Sequence, residues 1–151
     1  MRLVIQRVKW GRVTVADEVV GAIGSGLVIL AGITHTDTET IVQKMATKAV
    51  NLRIFSDAQG KMNFSALDVN ANVLVVSQFT LYADARKGRR PSYTQAALPP
   101  QAEPLVTHFG TVCQQAGLTV SYGRFGADMA VELLNDGPVT IVLDSESLGF
   151  G

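Results

Sequence analysis

Gly26-Leu27-Val28-Ile29-Leu30-Ala31-Gly32-Ile33-Thr34 is an apolar run of strand length with no polar residue before Thr34. A strand with one face in water alternates polar with apolar side chains, so this run reads as a strand buried on both faces. The flanking sequence has to supply the two covering layers. Upstream, Arg2 to Trp10 is rich in β-branched and large apolar residues, Gly11 reads as a break, and Arg12 to Ala16 alternates polar residues with Val13 and Val15. Asp17-Glu18 then turns the chain toward Val19 and Val20, which predicts a meander.

Downstream, Thr36, Asp37 and Thr38 precede Glu39, a helix start with acid in the first turn. Ile41, Met45, Ala49 and Leu52 follow at one-stripe spacing, and Lys48 sits within that stripe with its stem laid along it. Strand signals return at Leu52 to Phe55, then at Lys61 to Phe64 after a turn through Ser56 to Gly60, and most strongly at Asn72 to Thr80. A loop from Asp84 to Tyr93 leads past Pro99-Pro100 to a second helix. Its apolar face carries Leu105, Val106, Phe109, Val112, Cys113 and Ala116, and Gly117 serves as its C-cap. Leu118 to Tyr122, Met129 to Leu134 and Val139 to Leu143 complete the strands. The predicted fold class is α+β in a single domain over residues 1–151: a curved, antiparallel-rich sheet or barrel-like core with two helices.

Composition narrows the function classes. Hydrophobic residues make up 47% of the 151 and charged residues 17%, against about a quarter charged in an average soluble chain, so disorder is excluded. The formal net charge is zero, which leaves any nucleic-acid contact to a local patch. One Cys and two His do not make a structural zinc site or an internal disulfide. No run approaches the ~20 apolar residues of a membrane span, and Met1-Arg2 enters a strand with no signal-peptide pattern, so a cytoplasmic protein is expected.

Four features bear on chemistry. Ser77-Gln78-Phe79-Thr80 places two hydroxyls and an amide at the end of an apolar strand. Alternation sends Ser77 and Phe79 to one face and Gln78 and Thr80 to the other. Such residues either face water and cap the next turn or line a pocket mouth that holds an ester carbonyl. Asn135-Asp136-Gly137-Pro138 reads first as a hairpin turn, with a proline where the following strand wants a donor. Arg86, Lys87, Arg89 and Arg90 around Gly88 form either a solvated loop or a phosphate contact. Cys113 reads as a small buried hydrophobe, and His35 and His108 have no partner at triad spacing.

Together, Ser77-Gln78-Phe79-Thr80-Leu81-Tyr82-Ala83 and Asn135-Asp136-Gly137-Pro138-Val139-Thr140 resemble the two signature motifs of the D-aminoacyl-tRNA deacylase family. The likeness extends to Gln6-Arg7-Val8, to Lys87 through Tyr93 and to Gly123 through Met129, and so spans the chain. It implies a homodimer with active sites at the subunit interface. The Gly137-Pro138 bond would be cis, inserted into the partner's pocket, with Arg7 holding the turn and Met129 packed nearby. Ser77, Gln78, Phe79 and Thr80 would receive the 3′-terminal adenosine of an aminoacyl-tRNA, and the basic loop would meet acceptor-stem phosphates. No metal or organic cofactor is expected.

The implied reaction is hydrolysis of the ester joining a D-amino acid to tRNA, with glycyl-tRNA as a side substrate. Either Thr80 attacks, or water does so with help from the ribose 2′-hydroxyl while the N–H groups of Phe79 and Thr80 hold the oxyanion. Two other readings are an editing relative acting on a small L-amino acid and a non-catalytic tRNA-binding protein.

Overall fold

In the computed structural model, which describes residues 1–151, β1 (Arg2–Val15) runs through Gly11 without the expected break. Glycine is there for space: Gly11 pairs with Ile23 on one side and Leu133 on the other, and an added Cβ would lie 2.7 Å from Val28 Cγ2. One edge of β1 pairs antiparallel with β8 (Ala130–Asp144). The opposite edge is shared by β3 (Gly26–Gly32), against Arg2 to Val8, and β2 (Glu18–Ile23), against Gly11 to Val15. The β1–β2 turn falls at Ala16-Asp17, with φ of 47° and 65°, the left-handed pair that matches strand twist in a tight hairpin.

β3 continues in parallel to β6 (Asn72–Ser77), and β6 in parallel to β7 (Thr119–Tyr122). β7 returns to β2, where the Ser121 hydroxyl donates to the Ala22 carbonyl at 3.1 Å. The sheet is thus nearly closed into a barrel, with β8 left outside as an edge strand and a small hairpin of β4 (Phe55–Ser56) and β5 (Met62–Phe64) beside it.

The apolar runs of β3 and β6 are explained by two cores. Leu27, Ile29, Val73 and Val75 join the larger core under the helices, whereas Val28, Leu74 and Val76 point into the barrel with Val8 and Val13. α1 (Glu39–Val50) starts at Thr38, whose hydroxyl accepts from Ile41 N at 3.4 Å, and buries Ile41, Met45 and Ala49. Lys48 is exposed, off the stripe assigned to it, because the buried face rotates toward Val42 and Ala46. α2 (Pro99–Gln115) opens on proline at a position that needs no N–H and buries Leu105, Val106, Phe109 and Cys113. Burial pushes the Cys113 thiol up to about 12, which leaves it inert as a nucleophile at neutral pH. No helix is long and apolar enough to cross a membrane.

Two further expectations fail. The last two strand candidates are one strand, β8, because both halves pair with β1, and Asn135 to Pro138 is a bulge within it rather than a hairpin. Gln6 pairs with Thr140 and Val8 with Asn135, so Arg7 alone faces the excursion of Asp136 to Val139. β6 ends at Ser77, and Phe79–Tyr82 winds into a short 3₁₀ turn, so alternation does not govern Phe79 and Thr80.

Arg2 ties this turn to the paired ends of β1 and β8. Its Nε donates to Asp144 at 2.6 Å, its Nη1 donates to the Leu81 carbonyl at 3.0 Å, and its guanidinium lies 4.6 Å from the centroid of the Tyr82 ring. Burial works to raise the Asp144 pKa, but hydrogen bonds from Arg2 and from the backbone of Ser147 and Glu146 outweigh it and hold the carboxyl below its ordinary value. The folded value therefore lies under the ~3.9 of an unfolded Asp, so the stabilisation is complete above about pH 4 and fades as pH falls through the folded value. Asp144→Asn is expected to lower the urea midpoint at neutral pH and to flatten its decline below about pH 4. An acid limb as steep as that of the unaltered chain would contradict this.

Candidate active site

β3 and β6 end side by side, with Ala31 opposite Ser77, and there the chain leaves the sheet in two directions. After β6 it enters the 3₁₀ turn; after β3 it runs to α1 past the strap of residues 93–98. Thr34 Oγ1 pins this strap by donating to the Gln95 carbonyl at 2.6 Å, and Ala97 N donates to the Ile33 carbonyl at 2.9 Å. Between turn and strap lies a cavity of about 500 Å³, lined by Ser77, Gln78, Phe79, Tyr93, Phe125 and Met129 among other residues. Its position at the carboxyl ends of parallel strands is the usual one for ligand sites in sheets of this kind.

No Asp, Glu, His, Lys or Arg lines this cavity. Its polar groups are the Ser77 and Tyr93 hydroxyls, the Gln78 amide and the backbone of the turn. Gln78 Nε2 donates to Thr80 Oγ1 at 2.5 Å, which fixes the hydroxyl just outside the lining. The first hydrogen bond of the turn runs from Leu81 N to Gln78 O, and no side chain caps its start. The N–H groups of Phe79 and Thr80 therefore have no acceptor within the turn. Such an arrangement can orient a neutral carbonyl and stabilise an oxyanion, but it contains no general base for Thr80. His35 bonds instead to the Thr94 carbonyl at 2.9 Å, and no three His, Cys, Asp or Glu side chains gather to hold a metal.

The other site candidates lie elsewhere. Arg7 is buried beside the β8 bulge, where its Nε donates to the Asp136 carbonyl at 2.9 Å and its Nη1 to the Ile54 carbonyl at 2.5 Å. The Gly137-Pro138 peptide is cis, and both residues are exposed. Gly137 has a φ of 135°, a conformation that side-chain-bearing residues rarely adopt. Neither residue lines the cavity of its own chain. In the basic loop, Arg86 is engaged by Asp84, with its Nε at 2.9 Å and Nη2 at 2.7 Å from the carboxylate; these hydrogen bonds pull the Asp84 pKa down to about 2. Lys87, Arg89 and Arg90 are exposed and make no salt bridge, so three of the four cations remain free.

Sequence reasoning passed over Tyr93, Phe125 and the strap. An aromatic residue at the foot of a basic loop was the available signal for Tyr93. Gly123 was also missed. It precedes the segment that carries Phe125 and Met129, and a Cβ on it would lie 2.7 Å from Met129 Sδ.

The site is thus an uncharged pocket rimmed by hydroxyl, amide and backbone donors in a nearly closed barrel backed by two helices, an arrangement that could hold an ester carbonyl. The chain belongs to the D-Tyr-tRNA(Tyr) deacylase family, whose model matches residues 4–144. It is 59% identical over 145 residues to a D-aminoacyl-tRNA deacylase of Brevibacillus brevis, covering 96% of this chain and 100% of that protein. A D-aminoacyl-tRNA deacylase of Chloroflexus aurantiacus is 60% identical over 148 residues, 98% of this chain and 92% of that one. Among solved structures, one described as c-Myc DNA Unwinding Element Binding Protein superposes with a TM-score of 0.88 at 40% identity, over 95% of this chain and 98% of that one. Another, described as a probable eukaryotic D-amino acid tRNA deacylase, has a TM-score of 0.81 at 17% identity, over 94% and 97% of the two chains, and shows the fold alone.

The close approach at Gly123 yields a test. Gly123→Ala is expected to push Met129 into the cavity and raise KM for D-aminoacyl-tRNA roughly 5-fold or more, the low end of an overpacking cost of ~1–3 kcal/mol. In a Met129→Ala background the same substitution should add nothing. Equal rises in both backgrounds would show that Gly123 acts on something other than Met129.

Proposed function

We propose that the protein hydrolyses the ester of D-aminoacyl-tRNA, and of glycyl-tRNA, in the cytoplasm, and that it does so as a homodimer. The observation that carries this reading is the division of the site: the cavity holds neutral donors only, and the exposed Gly137-Pro138 turn, anchored by buried Arg7, stands apart from the cavity of its own chain. A second copy would bring that turn to the Ser77–Thr80 rim. β8, with its outer edge unpaired and Val131, Leu134 and Val142 exposed, is the kind of surface a partner covers.

In the assembled site, carbonyls of the turn face the substrate ammonium and the α-carbon, and leave room there for hydrogen alone. Such a clamp rejects one hand of the amino acid and ignores the side chain. Water adds to the ester carbonyl, the N–H groups of Phe79 and Thr80 hold the resulting oxyanion, and collapse releases the amino acid and returns the ribose oxygen as a hydroxyl. The ribose 2′-hydroxyl takes the assisting role, since no Asp, Glu, His, Lys or Arg side chain lines the cavity.

Incubation with matched D- and L-tyrosyl-tRNA should release free D-tyrosine catalytically and leave the L-ester nearly intact; equal hydrolysis would overturn the chiral reading. Thr80→Ala should retain measurable turnover while a terminal 2′-deoxyribose substrate is turned over poorly. An acyl ester trapped on Thr80 would reassign the nucleophile.

Arg89 and Arg90 are proposed to meet tRNA phosphates. Replacing both with Ala should weaken tRNA binding and make its salt dependence shallower by about one unit of slope for each phosphate no longer neutralised. A slope that stays the same would return the loop to solvent.

A further inference from the structure

Phe79 and Tyr93 come from different elements, the 3₁₀ turn and the strap, and meet at the mouth of the cavity with ring centroids 5.1 Å apart and planes at 73°. Although both line the cavity, they are 56% and 41% exposed. An edge-on pair leaves each ring with a face that the other does not cover. Neither ring is spent on the core, and neither fills the pocket.

Two observations indicate what lies against them. A cavity of about 500 Å³ is of the size that takes one drug-sized ligand, here a single aminoacyl-nucleoside. The preceding nucleotide of a bound RNA end must therefore cross the mouth. The basic loop also starts from that mouth. Asp84 and Ser92 bond to one another through both backbone N–H groups, at 2.8 and 2.9 Å, which closes the loop immediately before Tyr93 and holds Lys87, Arg89 and Arg90 on the same excursion. Exposed rings followed by unpaired cations are how proteins hold a single strand without reading its sequence: the bases stack and the phosphates meet positive charge.

We infer that Tyr93, with Phe79 beside it, is a stacking platform for the penultimate base of the single-stranded 3′ end of the substrate tRNA, outside the pocket that takes the terminal adenosine. The inference rests on the deacylase reading above and adds a second nucleotide subsite to it. Tyr93 is then a binding residue whose contribution depends on the length of RNA attached to the ester.

The test compares two D-tyrosyl esters, of adenosine and of the trinucleotide CCA, on the unaltered protein and on Tyr93→Ala and Tyr93→Phe. The adenosine ester reports what Tyr93 does to the pocket itself, and the ratio of kcat/KM between the two esters reports the platform. Tyr93→Ala is expected to reduce the advantage of the trinucleotide roughly 5- to 100-fold, as loss of one base–aromatic stack does, and Tyr93→Phe to restore it. A trinucleotide with 2-aminopurine in place of the middle base should lose fluorescence on binding the unaltered protein, and less on binding Tyr93→Ala. Unchanged quenching and an unchanged ratio would overturn the platform, as would a Tyr93→Ala defect traced to a weaker dimer, which would make the rings a subunit contact. If the unaltered protein quenches the probe yet releases no amino acid from either ester or from D-tyrosyl-tRNA, the deacylase reading fails while the stacking site stands.

Discussion

The parallel pairing of β3 with β6 is the constraint on which the rest of the molecule depends. Parallel neighbours cannot be joined by a tight turn, so the chain has to cross over between them, and again between β6 and β7. Each crossover carries a helix, α1 in the first and α2 in the second, and both helices pack on the same face, where Leu27, Ile29, Val73 and Val75 meet them. The opposite face closes on itself as a barrel filled by Val28, Leu74 and Val76. Both crossovers leave from the same end of the sheet, and the gap between the departing chains is the cavity. Substituting a polar side chain in either strand would therefore disturb one of two cores, and the pocket lies directly above both.

That origin explains the chemistry of the pocket. Its walls are strand ends, a strap and a short turn, and the backbone groups freed there are donors and acceptors rather than charges. Bringing an ionised side chain into such a mostly apolar cleft would cost several kcal/mol unless a partner came with it. Charge is used instead where it holds structure. Arg7 spends its donors on carbonyls at Asp136 and Ile54, and Arg2 joins Asp144, Leu81 and Tyr82. Removing one member of a buried arrangement such as that around Arg7 leaves unpaired groups behind, so its neighbours are held firmly in register.

Much of this was legible in the sequence because it follows from local pattern. The unbroken run in β3 declared two-sided burial, the stripe Leu105, Val106, Phe109, Cys113 declared α2, and three of the four residues singled out at the end of β6, Ser77, Gln78 and Phe79, line the cavity. What was not legible depended on partners distant in sequence. Gly11 looks like a break unless Val28 is known to fill the space where its side chain would be. Asn135 to Pro138 looks like a hairpin unless β1 is known to pair with both flanks. The 3₁₀ turn was hidden because Phe79 to Tyr82 has the β-branched and aromatic character of a strand, and tertiary contacts with Arg2 override that preference. Tyr93 was overlooked because its place beside Phe79 is set by the pinning of the strap at Thr34, far away along the chain.

The same separation of near and far parts bears on how a protein could distinguish two hands of one amino acid. A pocket that recognises a side chain by shape gains only ~1–3 kcal/mol per methylene and would have to be rebuilt for each amino acid. Selection at the α-carbon requires a surface that does not yield, and flexible side chains yield most readily. A bulge clamped into a long strand is stiffer, since β1 pairs with β8 on both sides of Asp136 to Val139 and Arg7 grips its base from below. In the proposed dimer that surface sits on a different strand from the donors proposed to hold the ester, so each would be fixed by its own framework: the β1–β8 ladder for the turn, and the β3–β6 ends for the rim. A substrate would then be measured between two rigid bodies, and a methyl-sized intrusion at the α-carbon would have nowhere to go.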